Sequence, residues 1–370
     1  MRKSSRTGVS NASRPHFATT CVRFEQGSAA TGVPQPGPRP STPTRTHTHT
    51  HTHTHTHPSN SSDVLARVEG LPVAGTQSHA RPRKTHKHPE RNGAPVSERF
   101  EWTRVMHETK RRHLTVLRTE LIAPRMQRIT LGGADLEGFT SLAPGDHVKA
   151  FFPDPTVGEI VTPVVVDGRP QLPTGPGEVI ARDYTPAAFR PIGEHGPELD
   201  LDFVLHADGS HAGPAASWAA QAKPGDPLII GGPRGSRVPP SDIRRAILIA
   251  DESALPAVTR WLDLLGEAEV IGLFSALEPG TSQYLSGYEA SAREFRWFSG
   301  EDRNTRIAET LAGLAITEST LVFLAGEAGS LIPLRRELGL PKEQVDAHGY
   351  WKQGEANLDH HAPLDPSDPD

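Results

Sequence analysis

Two short stretches of this 370-residue chain have residue types and spacing suited to ligand chemistry. Arg182-Asp183-Tyr184-Thr185-Pro186 ends a predicted strand. In such a grouping an aromatic ring can lie against a planar heterocycle, a hydroxyl can hydrogen-bond to its edge, and a guanidinium can fork onto a phosphate. Gly213-Pro214 opens a predicted helix through Ala215, Ala216, Ser217 and Trp218. The unpaired N–H groups and positive dipole at such an end suit a pyrophosphate. Taken singly, each stretch also reads as plain structure: a strand-end Arg–Tyr pair, and a Gly-Pro helix start. No nucleophile with an adjacent base stands out, and Glu327 and His348 receive no catalytic role. Binding, rather than acid–base work, is the chemistry indicated.

The elements that must position these residues fall into two blocks. From His113 the texture is short alternating or β-branched runs broken by Gly, Pro and Asp, which is strand-and-turn patterning. Leu114–Leu121, Arg128–Leu131, Asp146–Phe152, Gly177–Tyr184, Glu198–His206 and Pro227–Ile230 are predicted strands, with a helix near Ala215–Ala222. Six strands with one helix predict a small antiparallel barrel. After Pro239-Pro240 strands alternate with helices: strands at Ala246–Ala250, Val270–Phe274, Phe295–Phe298 and Leu321–Ala325, and helices at Ala254–Leu265, Arg303–Leu314 and Leu331–Leu338. That alternation predicts a doubly wound parallel sheet covered on both faces.

Residues 1 to 105 lack apolar runs and are rich in Pro, Ser, Thr, His and Arg, a composition that cannot offset chain entropy by burial, so they are expected to be disordered. The expected layout is therefore a tail over 1–105, a barrel over 106–239, an α/β domain over 240–356 and a flexible C-terminal tail over 357–370. Before Met106 there are 15 Lys+Arg against 6 Asp+Glu, net +9; from it onward 24 against 38, net −14. The basic tail has no aromatic interleaving or helical period, and no nucleic-acid partner is expected. Its Thr-His repeat, Thr46–His57, is read as translated simple sequence rather than a metal site, with Met106 as an alternative start. The single cysteine, Cys21, excludes a disulfide framework or a cysteine metal site in the folded part. No apolar run is long enough to span a bilayer, and a cytoplasmic monomer is expected.

Read together, the motifs resemble the siderophore-interacting protein family, whose layout is that of ferredoxin-reductase-like flavoenzymes. Arg182-Asp183-Tyr184-Thr185 resembles the family's R-x-Y-T motif. Leu201-Asp202-Phe203-Val204-Leu205-His206, Gly213–Ala219 and Gly231-Gly232-Pro233-Arg234-Gly235-Ser236 follow as in the family. Phe323–Ser330 and His348-Gly349-Tyr350-Trp351-Lys352-Gln353-Gly354 resemble its last two signatures. The resemblance implies that Arg182, Tyr184, Thr185, His206, Gly213, Ala215, Ala216, Ser217 and Trp218 hold FAD. It places Lys352 toward a ferric chelate, while Tyr350 and Trp351 pack the end of the sheet; Arg335 and Arg336 on the preceding helix are the weaker basic candidates that the sequence itself offers. Where relatives often carry arginine after Y-T-P, this chain has Ala187 and Ala188 before Phe189 and Arg190, leaving a phosphate contact there without its residue.

The activity so implied is reduction of siderophore-bound Fe(III), with NAD(P)H or a ferredoxin as donor. Hard oxygen ligands suit ferrous iron less well, so one electron loosens the complex. Ile249-Ala250-Asp251-Glu252-Ser253-Ala254-Leu255-Pro256 stands where good nicotinamide binders have a glycine-rich turn. Its carboxylates gain roughly 0.3–1 kcal/mol from a helix start and repel a second anion. Two other readings stay open: a general NAD(P)H:flavin or ferredoxin-type reductase, and a non-catalytic ferric-siderophore carrier. The net −14 of the folded part makes a neutral or cationic hydroxamate chelate at least as suitable a substrate as an anionic catecholate.

Overall fold

A computed structural model describes residues 100–166, 169–205, 213–355, 358, 363–365 and 367. The Thr-His repeat, Cys21 and His206 lie outside them. In chain order the barrel strands are β1 (Thr103–Met106), β2 (Arg111–Ala123), β3 (Met126–Gly132), β4 (Val148–Phe152), the hairpin β5 (Val164–Val166) and β6 (Arg169–Gln171), β7 (Ile180–Tyr184), β8 (Pro186–Gly193) and β9 (Gly196–Val204). Helix α1 (Pro214–Gln221) precedes β10 (Pro227–Gly231) and β11 (Gly235–Val238).

Seven of these strands form one antiparallel sheet in the order β7-β4-β10-β2-β3-β9-β8, one more strand than the six expected. The extra strand is β8, which begins at Pro186. Its two edge strands, β7 and β8, are separated in sequence by Thr185 alone, so the sheet curls until its edges meet. Along β2 the side chains alternate between solvent and core, with Arg112, Leu114 and Val116 buried. Leu131, Phe152, Leu199, Phe203 and Leu228 fill the interior.

The second block continues with β12 (Arg245–Ala250), α2 (Leu255–Leu265), β13 (Glu269–Ser275), β14 (Arg293–Phe298), α3 (Arg303–Ala312), β15 (Thr320–Glu327), α4 (Ala328–Leu338) and β16 (Val345–Trp351). All five strands are parallel, in the order β14-β13-β12-β15-β16. Ala246, Leu248 and Ala250 of β12 face α2, and Ile247 and Ile249 pack with Ile307 of α3 and Leu331 of α4. That two-faced burial explains why β12 is uninterrupted apolar sequence rather than alternating. No helix among the described residues is long and apolar enough to cross a membrane.

The blocks are tied by polar contacts. Arg260 of α2 donates to Ser141 O at 3.1 Å and Pro186 O at 3.0 Å. Tyr284 donates to the buried Asp202, which also receives Arg128 at 2.8 Å. Arg237 of β11 pairs with buried Asp346 of β16.

Two expected boundaries move. Described structure begins before Met106: Thr103–Met106 pairs with β11, and Phe100 and Trp102 pack on the core behind α2. At the other end, the described part of the expected flexible tail packs against the fold, since Leu364 joins the α4-side core and buried Asp365 binds Arg336.

Candidate functional site

The meeting of the barrel's edges puts the first predicted motif in place. Arg182 and Tyr184 share a face of β7, while Asp183 points the other way and pairs with Lys149 at 2.8 Å. The Arg182 guanidinium donates to Ala181 O at 2.7 Å. The Tyr184 ring lies 4.3 Å from Phe203 and 6.1 Å from Phe152, and Trp218 lies 5.5 Å from Phe152. An aromatic wall of Tyr184, Phe152, Phe203 and Trp218 therefore lines this part of the barrel, and burial pushes the Tyr184 hydroxyl above its ordinary range. Thr185 is buried yet belongs to neither flanking ladder, which run through Tyr184 on one side and Pro186 on the other.

Helix α1 starts on Gly213 with Pro214 in its first turn, and no side chain caps it. The amides of Ala215 and Ala216 thus have no intrahelical acceptor, whereas Ser217 N already bonds Gly213 O at 3.0 Å. Buried Ala215 and Ala219 seat the helix on the barrel, and Trp218 carries it to the aromatic wall. The structure thereby brings Tyr184 and Trp218 into one cluster, with Thr185 beside it. Arg190 is not a substitute phosphate ligand, because Glu198 and Asp200 hold its guanidinium at 2.7–3.1 Å.

At the carboxyl edge of the parallel sheet a cleft of ≈ 140 Å³ is lined by Asp251, Glu252, Arg303, Glu327 and Trp351. Asp251 accepts from Ser253 N at 2.9 Å, Glu327 N at 2.8 Å and Trp351 Nε1 at 2.8 Å. Burial nevertheless raises its pKa, and does the same for Glu252, which receives Leu277 N. A Cβ on Gly326, whose φ is +141°, would fall 2.5 Å from the Asp251 carboxylate, so that position must be glycine. Glu327 caps α4 by accepting from Ser330 N at 2.6 Å and also receives Gln353 N at 3.1 Å. Burial works to raise its pKa, but these amides outweigh burial and lower it. The carboxylates thus close the helix starts here themselves, and Glu327 is a cap.

The three predicted basic residues are not gathered at one mouth. Lys352 is exposed and paired with Glu355 at 2.9 Å, which with nearby Glu327 raises its pKa. Arg335 and Arg336 lie toward the far end of α4, about 10 Å along the helix from its start. There Arg335 donates to Leu340 O and Arg336 binds Asp365 through two nitrogens.

Sequence reasoning gave Tyr350 only a packing role. Its ring packs on the α2 face of the sheet, and its buried hydroxyl faces Thr185 without closing a hydrogen bond of good geometry to any described group. Burial pushes that hydroxyl up to about 12.

Residues 115–237 match the family model of a siderophore-interacting FAD-binding domain, and residues 243–354 match that of siderophore-interacting protein. An Escherichia coli (strain K12) protein named NADPH-dependent ferric-chelate reductase is 36% identical over 254 residues, covering 67% of this chain and 95% of that one. Ferric vibriobactin reductase ViuB of Vibrio cholerae is 28% identical over 265 residues, covering 68% and 92%. The crystal structure of a siderophore utilization protein from T. fusca superposes with a TM-score of 0.63 at 36% identity, covering 71% of this chain and all of that one.

Proposed function

The chain belongs to the siderophore-interacting protein family, and from that premise we propose that it uses bound FAD to reduce the Fe(III) of ferric siderophores. The observation that carries this reading is the place where the barrel's edges meet: an aromatic wall, a threonine outside both ladders and an uncapped helix start, all on one domain. These residues fit FAD. Tyr184 would stack on the ring system, Thr185 would hydrogen-bond its edge, Arg182 would neutralise phosphate charge, and the Ala215 and Ala216 amides would hold the pyrophosphate. When bound, FAD supplies the conversion between two-electron donors and single-electron reduction of iron. The chain's own residues bind, orient and leave an edge open; none need act as general base.

The donor fitting this chain's relatives is NADPH, since the Escherichia coli relative is named for it. The carboxylates Asp251, Glu252 and Glu327 keep the donor's phosphates off the β12 turn and argue against a general nicotinamide:flavin reductase. Lys352 is proposed to meet the chelate, as part of a cytoplasmic monomer. The test is anaerobic: protein, NADPH and a ferric siderophore are mixed and Fe(II) is trapped by a ferrous chelator. Fe(II) formation that depends on both FAD and protein is expected; formation at the rate of free FAD alone would reject the reading.

A further inference from the structure

Tyr350 stands on β16, the last strand of the parallel sheet, yet its hydroxyl reaches across to Thr185 on the barrel. The hydroxyl oxygen is buried and, although Thr185 lies beside it, closes no hydrogen bond of good geometry among the described residues. Leaving such a group unpaired in a dry site costs about 1–3 kcal/mol, so it calls for a partner that completes it. Arg260 is not that partner: its guanidinium donates to Ser141 and Pro186 and makes no hydrogen bond to the phenol oxygen. Thr185 is itself outside both ladders, so two hydrogen-bonding groups from different domains face one another without joining. Burial holds the phenol protonated at any working pH, which makes it a donor.

We propose that Tyr350 is a flavin-positioning residue, its hydroxyl donating a hydrogen bond to the polar edge of the isoalloxazine ring lodged at Thr185. This rests on the FAD site described above and extends it, because the second domain then completes a site otherwise built from the barrel. It also gives a reason for the contacts that fix the two blocks together: Arg260 to Pro186, one residue beyond Thr185, and Arg237 to Asp346, four residues before Tyr350. A donor at that edge favours the electron-richer reduced ring over the oxidised one.

Tyr350→Phe removes the hydroxyl and nothing else. Calorimetric titration of FAD into flavin-depleted full-length protein should show roughly three- to tenfold weaker binding in the variant, the worth of one net hydrogen bond. Spectroelectrochemical titration of the loaded protein should move the flavin midpoint negative, by at most about 30 mV, the two-electron equivalent of tenfold. The flavin-depleted variant should melt at or above the wild-type temperature, since an unpaired buried hydroxyl has been deleted. A lower melting temperature without flavin, or failure to fold, would mean that the hydroxyl is satisfied within the protein, and would overturn the proposal. So would wild-type FAD affinity and potential in the variant. Wild-type protein that takes up no FAD would instead reject the function itself.

Discussion

Trp102 precedes the first long strand in a stretch whose composition gives no hint of a packing role, and replacing it tests what clamps the two blocks together. Its indole donates to Glu343 O at 2.7 Å, the Arg237 guanidinium sits 3.7 Å from its ring centre, and Trp261 of α2 meets it edge-on at 6.2 Å. The hydrogen bond is worth about 0.5–1.5 kcal/mol, the cation–π contact about 0.5–1 and the aromatic pair about 0.5–1.5, together roughly 1.5–4 kcal/mol. Arg237 also neutralises buried Asp346, so loosening it exposes that pair to solvent. For a fold of this size each kcal/mol moves the melting temperature by about 2–4 °C, so Trp102→Ala in the full-length protein is expected to lower it by roughly 8 °C, and by at least about 3 °C. The assay is a circular-dichroism melt at fixed FAD concentration, because ligand excess shifts the midpoint by mass action. A midpoint within about 1 °C of wild type would refute the clamp and return Phe100–Val105 to the status of a tail.

Arg182→Ala and Tyr184→Ala should each weaken FAD retention, Tyr184→Ala by about tenfold or more through loss of stacking; full flavin stoichiometry in both after gel filtration would reject the barrel site. Lys352→Ala should raise KM for an anionic ferric catecholate by only about two- to threefold, because Glu355 already shares its charge, with less effect on a neutral hydroxamate or at high salt. An equal KM change for both chelates would contradict an electrostatic role. The Arg118 hydrogen bond, reinforced by Arg190, depresses Glu198 from 4.5 to about 2, so its contribution to stability is complete above about 4.5 and is lost as pH falls toward 2. Glu198→Gln should lose about 1.5–3 kcal/mol at neutral pH in urea titrations, with the gap to wild type closing through that window; a pH-independent gap would show a packing effect instead.

The parallel sheet was legible because strands buried on both faces, such as Ala246–Ala250 and Leu321–Ala325, are continuous apolar runs. Two strands of the two large sheets were not. Pro186, the Ala187-Ala188 pair and Pro191 hide β8, which is held by its ladder with β9 rather than by propensity. Asp346, His348 and Gly349 break the apolar pattern of β16, and buried Asp346 is accommodated because His348, at 3.0 Å, and Arg237, far away in sequence, both reach it. The grouping proposed to hold flavin was legible as local sequence, since Arg182, Tyr184 and Thr185 lie within four residues and Gly213–Trp218 forms one helix start. The role of Tyr350 was not, because an unpaired hydroxyl is a property of three-dimensional surroundings. Arg335 and Arg336 misled for the same reason: their engagement with Leu340 O and Asp365 has no trace in local sequence.

Passage of electrons from flavin held by this chain to siderophore-bound iron can be followed in an anaerobic titration of the purified protein. FAD-loaded protein is reduced with one equivalent of dithionite, its visible absorbance is bleached, and a ferric siderophore is added in steps. The flavin band should return in proportion to chelate, with two Fe(II) trapped per flavin, as electron balance requires for a two-electron cofactor reducing a one-electron acceptor. Flavin that stays bleached in excess ferric siderophore, or a chain that purifies and reconstitutes without FAD, would contradict it.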